Sequence, residues 1–250
     1  MFLQFNTYKI IIAALLLCQL GFSQQNWKTI SKEEYLNKMK PARDKMANTN
    51  SYSMKLNYAS YKGYEAKDVY DQQSGYILKN KKKFHSYSVG IHTIQDEYSR
   101  IAIDSVKKTI TVNDLSVKMD ASLYQKVDTS RMNLFVNAYK YAETDKTQYI
   151  RIEFKRGYPY EAMEIKLKDQ WISQVVLFYT REVRKSVEDI KVKPKVLITY
   201  SDIKINPNVG EMTFATSKYI NYEANKKVSL NNSYKDYKLF DQRVKAFLHK

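Results

Sequence analysis

Cysteine is almost absent from this chain: the one cysteine, Cys18, lies in an apolar N-terminal run. A product that loses this run has no thiol, which excludes disulfides and cysteine chemistry. Histidine is nearly as scarce, with three residues and no HxH or HExxH spacing. His85 and His92 are seven positions apart in a strand-like region, so we place them on opposite faces of the sheet. We therefore predict no metal site and no cofactor.

Glycine and proline are also scarce, at six and four residues, and catalytic motifs built on glycine do not occur. There is no phosphate-binding glycine loop and no G-x-S-x-G nucleophile elbow. Glu161 and Glu164 could form a carboxylate pair, but the alternation around them predicts a solvated strand face. We predict no catalytic residues and a protein that is not an enzyme. A hydrolase built from unrecognised carboxylates is the third alternative.

No apolar run is long enough to span a bilayer, which takes about 20 residues. The longest, Ile10–Leu20, follows the single charge of Lys9 and precedes Gly21-Phe22-Ser23, an arrangement typical of a cleavable export signal. We predict a signal peptide over residues 1–23, cleaved near Ser23-Gln24. Lipidation at Cys18 is the alternative, although a small residue would be expected where Leu17 stands.

Negative charge is in short supply, with 26 acidic against 42 basic residues and a net charge of +16. An exported basic protein could bind an anionic membrane surface, an acidic polysaccharide or an acidic envelope protein. We predict no nucleic-acid partner, because an exported protein leaves the compartment that holds nucleic acid. A lysine-rich solvated surface is the alternative. The 22 tyrosines similarly allow carbohydrate stacking, although most occupy strand positions where aromatic residues pack.

What the chain has in abundance is alternation of apolar and polar residues. Residues 74–114 contain four short runs of this kind, separated by polar turns. In the first run Tyr76 and Leu78 share one face and Ile77 takes the other. Successive strand residues point to opposite faces, and short links favour antiparallel neighbours, so the pattern predicts a meander. Further strands are predicted at residues 51–61, 149–155, 163–167, 171–180, 196–205 and 211–215.

Three stretches predict helices. Ser31-Lys32-Glu33-Glu34 fits a capping box, and Tyr35, Met39, Ala42 and Met46 follow at spacings of four, three and four. Pro41 should kink or divide this helix. Residues 120–142 suggest one or two short covering helices. Residues 229–250, with Tyr237, Phe240, Val244 and Phe247, suggest a basic amphipathic helix that binds a membrane or partner, or packs on the sheet.

The order of these elements resembles the periplasmic outer-membrane lipoprotein carriers, the LolA-like family. Ser74–Phe84 is similar to the second-strand signature of that family, Ile101–Val112 to its next hairpin, and Tyr200–Pro207 with Phe214 to its final strands. The resemblance implies an α+β fold, an unclosed antiparallel β half-barrel whose concave face is covered by helices. It also implies a periplasmic location and a half-barrel domain at 24–216. The basic helical extension predicted at 217–250 is a departure from the family pattern. The lysine, tyrosine and asparagine content resembles that of Bacteroidetes-type proteins.

This resemblance implies a hydrophobic cavity for acyl chains, and with it a non-catalytic binder or carrier of a lipid or acylated protein. The apolar residues expected to line the cavity are Tyr87, Val89, Ile91, Ile101, Ile103, Ile152, Phe154, Ile165, Phe178 and Ile198. Lys81 and Lys82 are expected to meet an anionic headgroup. The alternative is an envelope adaptor that keeps the fold, fills the cavity itself, and binds a protein or anionic glycan through its basic surface and C-terminal helix.

Overall fold

The computed structural model describes residues 26–115, 132–184, 191–223 and 227–243. The predicted signal peptide therefore lies outside the described residues. Most of the described chain is strand: β1 Lys28–Ile30, β2 Ser51–Tyr61, β3 Val69–Asn80, β4 Lys83–Ser88, β5 Ile91–Gln95, β6 Arg100–Asp104, β7 Thr109–Asn113, β8 Val136–Thr144, β9 Thr147–Phe154, β10 Tyr160–Lys168, β11 Trp171–Tyr179, β12 Val183–Arg184, β13 Lys191–Val192, β14 Lys195–Ile205, β15 Ile220–Tyr222, β16 Val228–Leu230 and β17 Lys238–Asp241.

Thirteen of these strands form one sheet in the order β1-β8-β9-β10-β11-β14-β2-β3-β4-β5-β6-β7-β17. Its pairs are antiparallel except β7–β17, which is parallel. β1 and β17 occupy opposite ends and do not pair, so the sheet is unclosed. Open sheets of more than about ten strands generally curl. The predicted fold class, an open antiparallel half-barrel, is confirmed.

The long helix α1, Lys32–Asn48, begins at the predicted capping box. The Ser31 hydroxyl accepts from the Glu34 backbone N–H at 3.1 Å, and the Glu34 carboxylate accepts from the Ser31 N–H at 2.8 Å. The four residues of the predicted stripe are its buried ones. Pro41 lies within the helix and does not divide it.

Helix α1 lies across the strands rather than along them. Near its start Tyr35 stacks on Tyr139 of β8, with ring centroids 4.8 Å apart. Near its end the carbonyls of Met46 and Ala47 accept from the Lys79 ammonium of β3, at 3.1 and 2.9 Å. Five strands separate β8 from β3 in the sheet. One helix therefore covers more than half of the sheet width.

The sheet changes its buried face at β3. On the α1 side, the core consists of helix residues and apolar side chains from β8 to β3, including Ile77, Ile150 and Ile165. A second core lies on the opposite face of β5–β7, where Ile94, Ile101, Ile103, Ile110 and Val112 pack under Ile220. The C-terminal segment from residue 213 onward supplies this second cover. On the α1 side of β4–β7, the residues are mostly polar, among them Ser86, Thr93, Gln95, Thr111 and Asn113.

Three secondary-structure predictions are wrong. Residues 136–142, expected to be helical, lie in β8, and a single short helix, α2 Met132–Phe135, precedes them. The strand expected at 211–215 is a 3₁₀ turn over Glu211–Phe214. The helix expected from residue 229 is replaced, up to residue 243, by β16, a 3₁₀ turn and β17. Its remainder and residues 120–131 lie outside the described residues.

The correction at the C-terminus has a physical reason. Tyr237 packs against Tyr234 over the second core, and the next four residues pair with the edge of β7. Pairing at this edge satisfies backbone N–H and C=O groups of β7 that would stay unpaired if the segment formed a helix. Residues 238–241 thus belong to the same sheet as the predicted 24–216 domain. Among the described residues, no helix has the length and apolarity needed to cross a membrane.

Candidate functional site

A cleft with a volume of about 930 Å³ lies at the C-terminal end of α1. Its walls are the β3–β4 hairpin, the β5–β6 hairpin and the end of the helix. The lining residues are Ala47, Asn50, Lys79, Asn80, Lys81, Lys82, Lys83, Phe84, Gln95, Asp96, Glu97, Arg100, Leu115 and Glu211. A volume of this size is within the range that holds small-molecule ligands.

The topology explains why these residues meet. In an antiparallel meander alternate turns fall at the same end of the strands, so the turn at residues 81–82 is a neighbour of the turn at 96–99. Helix α1 ends at the same edge, where residue 51 begins β2. Lys81 takes a left-handed conformation with φ 54°, which tightens the turn and projects two lysines into the solvent side of the cleft.

Positive charge dominates the cleft, but its cations differ in their surroundings. Lys83 pairs with Glu211 and lies 3.7 Å from a carboxylate oxygen of Glu97. The Glu211 carboxylate, through its hydrogen bond to that ammonium, raises the pKa of Lys83. Lys81 and Lys82 are exposed and form no ion pair within the described part of the chain. They are therefore the cations best placed to meet an incoming anion.

Arg100 forms the inner wall of the cleft. Its side chain is only 5% exposed, and its guanidinium donates to the Gln95 side-chain oxygen from Nε at 3.0 Å and from a terminal nitrogen at 2.6 Å. Burial lowers the pKa of this arginine, which still remains charged at neutral pH because the ordinary value is so high. Phe84, half-buried, and Leu115 supply apolar surface beside it. The cleft therefore joins cations to a small apolar wall.

The residues predicted to line a shared hydrophobic cavity are dispersed in the structure. Ile152 and Ile165 are buried in the α1-side core, and Phe154 and Ile198 pack at its margin. None of the ten lines the cleft, whereas Lys81 and Lys82, predicted for a headgroup, both do. The described core beneath α1 is filled by side chains of the helix itself.

Six of these residues lie away from the α1-side core, so the described structure does not bring the ten together around one cavity. Ile101 and Ile103 are buried in the second core, and Tyr87 shares that face of the sheet. Val89 and Ile91, at the β4–β5 turn, are 54% and 41% exposed. Phe178 is on the outer face, against Tyr64 and the Arg151 guanidinium. Alternation identifies residues that share a face within a strand. It does not reveal that the buried face of the sheet differs from one group of strands to the next.

A second polar cluster, which the sequence reasoning missed, lies on the face opposite the cleft. His85 Nε2 lies 3.0 Å from the Tyr76 hydroxyl and 3.3 Å from His92 Nδ1, so the prediction that the two histidines face apart is wrong. Burial, with a smaller contribution from His92, lowers the pKa of His85 to about 4. His85 is 8% exposed, and a backbone hydrogen bond with Thr213 opposes the effect of burial on the His85 pKa without cancelling it.

The signal that could have placed these histidines together is the turn between them. Val89 and Gly90 form a two-residue hairpin with φ values of 49° and 79°, the signature of a type I′ turn. Ser88 then pairs with Ile91, so residues across the turn share a face when their numbers differ by an odd amount. Within one continuous strand the same odd difference would separate them.

Comparisons with known proteins give distant structural neighbours. No family model matches the chain, and no curated protein matches it. A DUF1329 family protein from Desulfovibrio piger is 10% identical, with a TM-score of 0.32, covering 72% of this chain and 96% of its own. A LolA superfamily protein from Nitrosomonas europaea is 10% identical, with a TM-score of 0.30, covering 76% and 99%.

The third neighbour is an outer membrane lipoprotein-sorting protein domain from Vibrio parahaemolyticus. It is 7% identical to this chain, with a TM-score of 0.30, and the match covers 72% of this chain and 96% of that one.

Proposed function

We propose that this protein is an exported, non-catalytic binder of an anionic amphiphile, such as a lipid or an acylated protein, which it carries within the periplasm. The observation that supports the proposal is the position of Lys81 and Lys82. Two exposed lysines lie on the wall of a ligand-sized cleft, and the half-buried Phe84 follows them after Lys83. A phosphate or carboxylate headgroup would meet the ammonium groups, while the start of an acyl chain would lie against Phe84 and Leu115.

The size of the interaction fits this assignment. A lysine close to an anionic lipid surface contributes about 1 kcal/mol, and each buried methylene contributes about 0.8 kcal/mol. Neither term alone gives tight binding. A ligand that carries both a charge and a short apolar segment would use both walls of the cleft, which favours an amphiphile over a free anion.

The test measures binding of a short-chain phosphatidylglycerol, used below its micelle concentration, by calorimetry. Lys81→Glu with Lys82→Glu should weaken this binding at least tenfold. A matched control, Lys67→Glu with Arg156→Glu, makes the same change of net charge at exposed turn positions at the other end of the strands. This control should leave binding within about twofold, because exposed charges farther away than the Debye length are screened.

Two outcomes would contradict the proposal. Equal weakening by both double variants would assign the effect to overall charge rather than to the cleft. Glycerol phosphate has no acyl chain. If it bound as tightly as the lipid, the apolar wall of the cleft would make no contribution to binding. The adaptor alternative agrees with the filled core beneath α1, but its predicted C-terminal helix is absent within residues 229–243.

A further inference from the structure

Two hairpin turns at the end of the sheet opposite the cleft carry exposed apolar side chains. The β4–β5 turn presents Val89 and Ile91, which are 54% and 41% exposed, and the β6–β7 turn presents Val106, which is 85% exposed. A Cβ atom on Gly90 would lie 3.7 Å from Val106 Cγ2, so the two turns are immediate neighbours. The aliphatic side chains of Val89, Ile91 and Val106 therefore form one exposed apolar surface, which we call the tip patch.

Both turns hold their apolar side chains firmly in the solvent. Val89 is β-branched, and its φ of 49° lies in the left-handed region, which such residues rarely adopt and which the preferred Asn-Gly pair enters easily. In the other turn, one carboxylate oxygen of Asp104 accepts from the backbone N–H groups of Val106 and Lys107, at 3.1 and 2.8 Å. A strained and exposed valine is unfavourable for folding, and such exceptions are found at functional surfaces.

Basic residues surround the tip patch. The Lys107 side chain is 78% exposed, although its ammonium lies 3.5 Å from the Asp104 carboxylate. Lys108, in the same turn, pairs with Asp236 of the turn that precedes β17. Together the β6–β7 turn and residues 235–238 contain four basic and two acidic side chains. The surface around the tip patch therefore has an excess of positive charge, which is complementary to an anionic partner.

The size of the tip patch fits a membrane better than a second copy of the chain. A stable protein interface takes about 800 Å² from each partner, and even a large aromatic side chain buries only about 150–250 Å². Three partly exposed aliphatic side chains do not supply such an area. An anionic bilayer needs no matching shape, because small apolar side chains enter the boundary between headgroups and acyl chains while the surrounding lysines meet the phosphates.

We propose that the tip patch is a membrane-docking site, at which Val89, Ile91 and Val106 enter an anionic bilayer and Lys107 and its basic neighbours bind lipid phosphates. The site is separate from the cleft, which lies at the other end of strands β4–β7, about 17–20 Å away along strands of five or six residues. It requires a lipid surface rather than a single lipid molecule, so it does not depend on the function proposed for the cleft.

The first experiment measures by sedimentation how tightly the full mature chain binds vesicles. Vesicles of phosphatidylcholine with phosphatidylglycerol should bind at least about fivefold more tightly than phosphatidylcholine alone, because one lysine near an anionic surface contributes about fivefold. Val89→Asn with Val106→Asn should weaken this binding at least about tenfold, through the loss of buried apolar groups. The matched control, Tyr98→Asn with Met212→Asn, removes two exposed hydrophobic side chains at the cleft end and should leave binding within about twofold.

The second experiment locates the point of contact. Without residues 1–23 the chain has no cysteine, so a single label can be attached at a chosen position. An environment-sensitive dye on Val106→Cys should shift its emission to the blue when phosphatidylglycerol vesicles are added, and lipids that carry a quencher on the acyl chain should quench it. The same dye on Tyr98→Cys, at the cleft end, should not respond.

The charge contribution is tested at both ends of the strands. Lys107→Gln with Lys238→Gln should weaken binding to the phosphatidylglycerol vesicles at least about fivefold, and more than Lys81→Gln with Lys82→Gln, which removes the same charge at the cleft. The reverse order would place membrane docking at the cleft end and overturn the proposal.

Four other results would also overturn it. These are a wild-type chain that does not bind the phosphatidylglycerol vesicles, equal weakening by the tip-patch double variant and its control, and a dye response at position 98 in place of position 106. The fourth is dimerisation of the wild-type chain that the tip-patch double variant abolishes, because this would assign the surface to a second copy.

Discussion

Tyr76 and Ile77 are consecutive residues of β3 that enter different cores. The Ile77 side chain is 3% exposed and packs with the α1-side cluster, whereas the Tyr76 hydroxyl meets His85 on the other face. β3 is therefore the strand at which the sheet passes from cover by a helix to cover by the C-terminal segment. The cleft forms beside this transition, where α1 ends and the helix side of the sheet becomes polar.

The C-terminal cover should be essential to the far half of the sheet. Ile220 is fully buried among the isoleucines of β5–β7, so Ile220→Ala should lower the free energy of unfolding by about 2–5 kcal/mol. Native-state hydrogen exchange should show the loss of protection first in β5–β7. Glu223→Ala, at an exposed position of the same segment, should stay within about 0.5 kcal/mol of wild type. A similarly small effect of Ile220→Ala on the free energy of unfolding would contradict the burial of Ile220 in the second core.

Gly75 allows β3 and β4 to approach closely. A Cβ at this position would clash with the Tyr87 backbone carbonyl on β4, an atom that cannot rotate away. Gly75→Ala should therefore cost about 1–3 kcal/mol of stability, measured by chemical denaturation. Gly210→Ala is the control, because a Cβ there would meet nothing within 4 Å. Equal stability of the two variants would show that the strand spacing is not as described.

Val89 should be a site where a polar substitution stabilises the protein. It is exposed, β-branched and left-handed, at φ 49°, in the type I′ turn before Gly90. Asn-Gly is the preferred pair in such turns, so Val89→Asn should raise the free energy of unfolding by about 0.5–2 kcal/mol. Val106→Asn, at an exposed turn position without positive φ, should not. Had Val89 lined an acyl cavity, the same change would weaken ligand binding and give no gain in stability.

Tyr52 should link stability to alkaline pH. Its hydroxyl is buried without a hydrogen-bond partner in the described structure, and burial raises the pKa of Tyr52 to about 12. Above pH 10 the unfolded chain releases this proton and the folded chain keeps it, so stability falls as pH rises. Tyr52→Phe removes this dependence and an unsatisfied polar group. The variant should match or exceed wild type near neutral pH, and its advantage should grow toward pH about 11.

Denaturation of both proteins at pH about 8 and about 11 measures this difference. Tyr98→Phe, at a residue that is 78% exposed, is the control and should show no change with pH relative to wild type. An advantage of Tyr52→Phe that stays constant, or shrinks, as pH rises would contradict the burial of the Tyr52 hydroxyl.

The sequence predicted those elements whose signals are local. The capping box and the stripe of Tyr35, Met39, Ala42 and Met46 place α1, because a helix has one apolar face. Strict alternation places β3, β4, β6 and β7, but the run that it predicts through residue 91 contains the turn at Val89 and misses β5. The same alternation does not distinguish Tyr76 from Ile77, since both faces of β3 carry apolar residues. The local sequence does not show which face packs against α1 and which packs against the C-terminal segment.

The rest of the site depends on long-range pairing, which a single sequence does not reveal. The position of His92 beside His85 depends on the register across the turn at Val89. The spacing of Tyr237 and Phe240 is typical of a helix, but residues 238–241 pair with β7, and Tyr237 packs against Tyr234. Lys81 and Lys82, predicted to meet a headgroup, line the cleft and are exposed, as a charged turn between strands is in any register. The finer assignment of that cleft to a headgroup remains the proposal made above.

The most direct test of the ligand assignment is photo-crosslinking with a short-chain phosphatidylglycerol that carries a photoreactive group at the start of one acyl chain. The account predicts that mass spectrometry will find the label within residues 79–84, 95–100 and 115, and that Lys81→Glu with Lys82→Glu will largely remove it. Label confined to the turns at the other end of the strands, or unchanged in the double variant, would contradict the account.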